Sequence, residues 1–328
     1  MQDEHNLNFN PGIMQPAADL KCDLSVFDST ALSTDDHVCS DDASISTQVD
    51  AGSIDDRVCW DDASIRTRVE VLSGAALPLS IQSVPYAALL TAVNQKLVRK
   101  SDDITGLRLW EFSTCLARFV AEHREQFEGA TVLELGCGCG HLALSVAVSA
   151  RDSTVIATDY SERTLRCARD NFDTHRARVV ARAVRIEQLT WSKIAPAGVS
   201  LGPVDFVFAC DCLYYISSAA AVLATAARLL AVDGVFIFGG RARSRTTIAS
   251  IRAAAVDALL ELRFVDMDFL RTSAAHAYWD RTDADGSYFA LLALSAEPIE
   301  RFMHAIGGAL RVDDAVNDDS DGILDGVW

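Results

Sequence analysis

The residues with the clearest chemical potential form a short glycine-rich segment. Val132 to Gly140 reads VLELGCGCG, so an apolar strand runs into three glycines at alternate positions. Glycines there let the backbone turn tightly and approach a ligand where a Cβ would collide. The spacing differs from the dinucleotide fingerprint G-x-G-x-x-G, and the Gly-Lys-Ser/Thr end of a phosphate-binding loop is missing. The segment therefore predicts a turn that binds a ligand of another kind.

Two carboxylates next to this segment indicate what that ligand is. Glu134 precedes the first glycine, where a carboxylate would repel a pyrophosphate but suits the cationic amino group of an amino-acid-like ligand. Asp159 ends the next apolar strand, 19 residues after Gly140. A carboxylate at that strand end can accept hydrogen bonds from both hydroxyls of a ribose. A cationic, ribose-bearing ligand without phosphates describes S-adenosylmethionine.

The elements that must position these residues are strands and helices in alternation. From Trp110 onward this pattern predicts an α/β fold with a mostly parallel sheet and helices on both faces. The last two strands, FVDMDFL and SYFALLALS, have no helix between them and predict an antiparallel edge strand. RTRVEVL and LPLSIQSV flank Gly74 and predict an N-terminal β-hairpin. The helix before FVDMDFL is expected to bury a stripe formed by Ile248, Ile251, Ala255, Leu259 and Leu262.

The charge of the 328-residue chain lies mainly at its two ends. Residues 1–65 carry 14 acidic and 2 basic side chains, residues 66–296 carry 24 and 25, and residues 297–328 carry 8 and 2. We therefore predict a poorly ordered acidic extension, a folded domain over residues 66–296, and an equally poorly ordered acidic C-terminal tail. Within the first part, the segment Ser33–Asp50 recurs 20 residues later as Ser53–Glu70, a tandem repeat that runs into the predicted hairpin.

The glycine-rich turn and Asp159 together resemble the Rossmann-like, seven-stranded (class I) methyltransferases. Three further segments narrow this resemblance: TGLRLW (Thr105–Trp110), QLTW (Gln188–Trp191) and DFVFACDCLY (Asp205–Tyr214). They are similar to segments of the family-16 protein-lysine methyltransferases, in the same order. The resemblance implies an S-adenosyl-L-methionine-dependent enzyme that methylates a lysine of a protein substrate and releases S-adenosyl-L-homocysteine.

The same resemblance implies roles for individual residues. Asp211 would orient the acceptor amine, and Tyr214 would shape the wall of the catalytic pocket. Cys210 stands where the family often has alanine, which is a small change. The cofactor-binding residues would be Trp110, Glu134, Gly136, Cys137, Gly138, Gly140, Asp159, Tyr160, Trp191 and Cys210.

Other interpretations of these residues stay open. A lone tryptophan more often packs in a core than contacts a ligand, so Trp110 and Trp191 depend on the resemblance. Asp211 could be only a polar residue at a strand end. Two cysteine pairs, Cys137 with Cys139 and Cys210 with Cys212, could be imagined as a zinc site. Small residues are expected at these strand ends, however, and no metal is predicted.

Composition limits the partners and the location. No apolar run approaches the ~18 residues that span a bilayer, and a core of net charge +1 attracts nucleic acid little. The N-terminal sequence has neither a secretory nor a mitochondrial pattern. We expect a cytoplasmic monomer, with the nucleus as the alternative location. A different acceptor (protein histidine, a small molecule or nucleic acid) and a non-catalytic, methyltransferase-like adaptor remain as alternative functions.

Overall fold

The computed structural model describes most of the predicted domain. Its described residues are 67–71, 79–85, 88, 104–192, 201–213, 218–242, 246–265 and 287–307. The acidic extension over residues 1–65 lies outside the described residues. The first described residues, 67–71, follow it.

Nine strands form two sheets in the described part of the chain. They are β1 (Thr67–Val71), β2 (Leu79–Ser83), β3 (Thr131–Leu135), β4 (Thr154–Asp159), β5 (Ala183–Gln188), β6 (Val204–Cys210), β7 (Leu230–Arg241), β8 (Glu261–Val265) and β9 (Ser287–Ala293). Strands β1 and β2 pair antiparallel, which confirms the predicted hairpin. The other seven form one sheet in the order β5-β4-β3-β6-β7-β9-β8.

The seven-stranded sheet is parallel from β5 to β7, so the carboxyl ends of β3, β4 and β6 meet at one edge. Strand β9 runs antiparallel to both β7 and β8. The predicted mixed end of the sheet is confirmed, and the structure places the antiparallel strand one position in from β8. This arrangement gathers the glycine-rich turn, Asp159 and Cys210 along a single edge.

Six helices cover the sheet within the described residues. They are α1 (Glu111–Glu122), α2 (His141–Ser149), α3 (Glu162–Thr174), α4 (Ser218–Leu229), α5 (Thr246–Asp257) and α6 (Ala296–Ala305). Helices α1, α2, α3 and α6 and strand β2 share one hydrophobic core, and α4 and α5 share another. Val207 and Phe208 are neighbours on β6 and belong to opposite cores, as the two-residue period of a strand requires. Burial of both faces explains why the strands read as continuous apolar runs.

The C-terminal boundary predicted at residue 296 is too early. Helix α6 packs Ile299, Phe302 and Met303 into the first core, each at most 5% exposed. The phenyl ring of Phe302 lies 5.7 Å from that of Phe206 on β6 and 6.3 Å from that of Phe127. The folded domain therefore reaches at least residue 306, because these apolar side chains outweigh the acidic composition of the segment.

The predicted stripe on α5 is wrong at its C-terminal end. Ile251 and Ala255 are buried, but Leu259 lies beyond the helix, is 83% exposed and has a φ of +57°. Because the chain leaves the helix through this left-handed residue, Leu262 belongs to β8 and not to the helix. Strand β8 accordingly starts three residues earlier than FVDMDFL predicts, and residues 266–286 lie outside the described part.

Side chains of α3 fasten the hairpin to the domain. The backbone N–H of Gln82 donates to Asn171 Oδ1 at 2.7 Å, and Asn171 Nδ2 donates to the Gln82 carbonyl at 3.1 Å. The N–H of Ser80 donates to His175 Nε2 at 3.1 Å. Asn171 Nδ2 also lies 2.8 Å from the carbonyl of Cys139. One asparagine therefore satisfies the outer edge of β2 and ties it to the glycine-rich turn.

Candidate active site

The glycine-rich turn has a backbone that residues other than glycine adopt at a cost. Gly136 and Gly138 have φ angles of +74° and +55°. A Cβ on Gly136 would lie 2.8 Å from the Trp191 ring and 2.8 Å from Cys212 Sγ, and one on Gly138 would lie 3.0 Å from the Gly106 carbonyl oxygen. Gly136 therefore needs glycine both for its φ and for the space, as the sequence predicts.

The turn is fastened to the neighbouring strand by its backbone. The N–H groups of Gly136 and Cys137 both donate to the Thr158 carbonyl at 2.8 Å. The Thr158 hydroxyl donates to the Glu134 carbonyl at 2.6 Å. These bonds hold β3 and β4 together at the point where both strands end, so the turn is rigid before any ligand binds.

Glu134 is a buried carboxyl group beneath the turn, with 3% of its surface exposed. Burial raises the pKa of Glu134 well above its ordinary value of 4.5, although the Ala143 N–H, which donates to Oε2 at 2.8 Å, opposes this effect. A buried acid without a cationic partner among the described residues is costly to ionise. It would gain from a ligand that brings a positive charge.

Asp159 holds the other side of the turn. Its Oδ2 accepts from the Gly138 N–H at 3.2 Å, and its Oδ1 accepts from the Ser161 N–H at 3.0 Å. The carboxylate is 7% exposed and is fixed in orientation by these two bonds. The following residue, Tyr160, has 44% of its surface exposed.

A cleft lies above the turn and brings together six of the predicted cofactor residues. Its wall is formed by helix α1, the loop before α1, the turn, the start of α2 and the end of β6. The residues of the wall are Arg108, Leu109, Trp110, Ser113, Glu134, Gly136, Cys137, Gly138, Cys139, His141, Leu142 and Cys210. Within the described residues, Gly140, Asp159, Tyr160 and Trp191 are not part of this wall.

The two tryptophans have different surroundings. Trp110 lines the cleft, donates from Nε1 to the Thr105 carbonyl at 3.0 Å, and lies under the Arg108 guanidinium at 4.6 Å. Trp191 packs against Gly136 and Cys212, and its buried Nε1 has no hydrogen-bond partner in the part of the chain that the structure describes. The Trp191 ring thus lies next to the turn at Gly136, and its Nε1–H is the unsatisfied donor.

Asp211 follows directly after β6 and is held by the backbone. Its φ is +51°, its Oδ1 accepts from the Arg241 N–H at 3.0 Å, and its Oδ2 accepts from the Phe112 N–H at 3.3 Å. Phe112 is the second residue of α1, so this carboxylate caps a helix whose own N-cap residue, Trp110, makes no side-chain cap. Tyr214, the other predicted catalytic residue, lies outside the described residues.

The cysteines around the cleft are buried thiols. Burial raises the pKa values of Cys137, Cys210 and Cys212 well above the ordinary value of 9.0. The Cys212 S–H donates to the Leu135 and Cys210 carbonyls at 3.2 and 3.1 Å. In the ranges that the structure covers, no group of three or more His, Cys, Asp or Glu is placed to hold a metal ion. These cysteines act as small packing residues.

Sequence reasoning missed two polar residues of the cleft wall. His141 follows Gly140 at the start of α2 and is 1% exposed, and its Nδ1 lies 3.0 Å from the Ser113 hydroxyl. The signal was available, because His141 is the one ionisable residue in the apolar stretch HLALSVAVSA.

Comparison with known proteins agrees with this geometry. Residues 93–252 match the lysine methyltransferase family. The match spans just under half of the chain, and over that stretch the chain is similar to this family. The cofactor that this similarity indicates is S-adenosyl-L-methionine, and the site fits that molecule, since a buried carboxyl group and a glycine turn line the same cleft and suit a cationic amino acid moiety. No helix in the described ranges is long and apolar enough to cross a membrane.

Individual relatives are similar over part of their length. The calmodulin-lysine N-methyltransferase of Arabidopsis thaliana is 27% identical over 118 residues, covering 36% of this chain and 38% of the relative. The protein-lysine N-methyltransferase EFM3 of Chaetomium thermophilum is 28% identical over 173 residues, with 50% and 51% covered. A ubiquinone biosynthesis O-methyltransferase of Caulobacter sp. is 30% identical over 152 residues, with 46% and 56% covered. The chain thus spans about a third to just over half of these relatives.

Proposed function

We propose that this methyltransferase transfers the methyl group to a lysine side chain of a protein substrate. The family match and the two protein-lysine relatives support this acceptor. The cofactor supplies an electrophilic methyl group on a sulfonium. The protein must bring the acceptor nitrogen into line with it and exclude water.

The acceptor determines what the protein has to do. A lysine amine is protonated at neutral pH and must lose a proton before it can attack. A closed, apolar pocket favours the neutral amine, and a carboxylate that accepts a hydrogen bond from it can aim its lone pair. Cys210 lines the cleft, and Asp211 is the next residue of the chain.

The observation that carries the proposal is the fixed orientation of Asp211. Two backbone N–H groups hold its two oxygens, one from the start of α1 and one from the end of β7. These two bonds fix the plane of the carboxylate at the end of β6. Asp211 is therefore proposed as the residue that orients the acceptor.

The matched variants Asp211→Asn and Asp211→Ala test this role. Asparagine keeps an acceptor oxygen and tolerates a positive φ, whereas alanine loses the cap and is strained at +51°. We expect both to lower methyl transfer by at least about 100-fold. Asparagine can accept only one of the two backbone N–H bonds, so Asp211→Asn should lower the melting temperature, but less than Asp211→Ala, and should keep the affinity for S-adenosylhomocysteine. Normal transfer by Asp211→Asn would assign Asp211 a purely structural role.

The acceptor itself is identified by labelling. The full chain is incubated with cofactor carrying a labelled methyl group and a cell lysate, and the labelled product is located by mass spectrometry. A methylated lysine in a protein supports the proposal. Label on a protein histidine, in nucleic acid or in a protease-resistant small molecule contradicts it, as does absence of transfer by a chain that binds S-adenosylhomocysteine.

A small-molecule acceptor is the second candidate, because the ubiquinone biosynthesis O-methyltransferase matches a similar share of the chain. An O-methyltransferase acts on a hydroxyl and not on an amine, so the two candidates differ in the product. A protein partner, a monomeric state and a cytoplasmic location remain part of the proposal.

A further inference from the structure

A chain of hydrogen bonds crosses the cleft wall from α2 to α1. His141 Nδ1 lies 3.0 Å from Ser113 Oγ, and Ser113 Oγ lies 2.7 Å from the Trp110 carbonyl oxygen. All three residues line the cleft beside Glu134.

The direction of this chain fixes the protonation of the imidazole. A carbonyl oxygen can only accept, so at 2.7 Å the Ser113 hydroxyl hydrogen must point at Trp110. Ser113 Oγ then accepts from His141, and Nδ1 carries the hydrogen. Burial lowers the pKa of His141 to about 3, which keeps the ring neutral at physiological pH. Nε2 therefore presents a lone pair and acts only as an acceptor.

This lone pair is unsatisfied in the part of the chain that the structure describes. Within the described ranges, His141 Nε2 is buried and has no hydrogen-bond partner. A buried acceptor without a donor costs about 1–3 kcal/mol. Such a cost at the wall of a ligand cleft is recovered when a ligand brings the donor.

Two groups of the cofactor donate without accepting, the α-ammonium and the adenine amino group, and the ammonium is the stronger donor because it is charged. Asp159, the residue suited to the ribose hydroxyls, lies outside the cleft wall, whereas Glu134, the buried acid that suits a cation, lies in it beside His141. A carboxylate of the ligand would be repelled by both the lone pair of Nε2 and Glu134.

We propose that His141 is a cofactor-binding residue whose Nε2 accepts a hydrogen bond from the α-ammonium group of S-adenosylmethionine, held in the required tautomer by Ser113. This role concerns the methyl donor and is independent of which acceptor is methylated. His141 binds and positions, and it takes no part in the transfer of the methyl group.

Calorimetric titration with two ligands tests the proposal without any turnover. The ligands are S-adenosylhomocysteine and its analogue in which hydrogen replaces the α-amino group. For His141→Leu in the full chain, we expect about 10-fold weaker binding of S-adenosylhomocysteine, the usual effect of losing one hydrogen bond to a charged group. Binding of the desamino analogue is expected to change less than 2-fold. His141→Gln, whose Oε1 can replace Nε2, should recover most of the affinity.

The outcomes separate binding from structure. An equal loss of affinity for both ligands, or no loss for either, overturns the proposal.

If His141→Leu does not fold, Ser113→Ala replaces it. This variant removes the hydroxyl that fixes the tautomer of His141 and leaves the imidazole ring in place. That variant should weaken S-adenosylhomocysteine about 2- to 5-fold, a part of the full hydrogen-bond effect, and leave the analogue unchanged. Equal effects of Ser113→Ala on both ligands also overturn the proposal.

Discussion

At the scale of single residues, the cleft and the glycine-rich turn combine groups that each cost the free protein some stability. Glu134 is an acid whose pKa burial raises, and His141 and Trp191 each bury one polar atom without a partner in the described part of the chain. Such features are typical of binding sites, since a ligand can pair with the polar groups that the fold leaves without a partner.

Glu134→Gln should therefore change stability and cofactor binding in opposite directions. Because burial raises the pKa of Glu134, the folded chain retains a proton that the unfolded chain releases as pH rises above about 4.5. The carboxyl thus costs stability progressively from that pH up to its folded pKa. We expect glutamine to raise the melting temperature, more at pH 7 than at pH 4.5, and to weaken S-adenosylhomocysteine at least about 10-fold.

The pH dependence of binding provides the control for this variant. A cationic ligand lowers the pKa of Glu134, so the wild-type protein should release a proton on binding and bind more tightly as pH rises. Calorimetry in buffers of different ionisation enthalpy measures this release. A Glu134→Gln protein that still releases the same amount would show that another group titrates.

At the scale of elements, helix α6 decides where the domain ends. The sequence alone predicts a poorly ordered tail from residue 297, but Phe302, Met303 and Ile306 are buried. Each buried side chain of this kind contributes about 1.5–3 kcal/mol, and together they approach the 5–15 kcal/mol stability of a typical domain.

Two truncations distinguish the helix from the segment after it. Removal of residues 300–328 should give insoluble or unfolded protein, whereas removal of residues 308–328 should leave the urea midpoint and the affinity for S-adenosylhomocysteine unchanged. Equal midpoints for the two truncated proteins would show that α6 contributes nothing to the fold.

At the scale of the whole molecule, the net charge of −17 belongs to the ends of the chain. Residues 66–296, which hold the cleft, carry 24 acidic and 25 basic side chains. The cleft therefore belongs to a nearly neutral part of the chain, and charges more than about 10 Å away are largely screened at 0.1 M salt.

Deletion of residues 1–52 tests this separation. These residues include the first copy of the repeat and precede the hairpin at Thr67–Ser83. We expect the affinity for S-adenosylhomocysteine to stay within 2-fold, measured at 50 and 300 mM salt. A salt-dependent change of affinity in the shortened chain would instead assign the acidic extension a role at the cofactor site.

The sequence by itself determined the order of strands and helices and the glycine-rich turn, because local periodicity and glycine geometry are written in neighbouring residues. It also placed Glu134 and Asp159 at adjacent strand ends, since parallel strands end at the same edge of a sheet. Only the tertiary structure showed that Asp211 caps α1, that α6 belongs to the core, and that His141 has a lone pair without a donor among the described residues. Each of these depends on contacts between residues far apart in the chain, such as the 99 positions between Phe112 and Asp211, which periodicity and spacing do not encode.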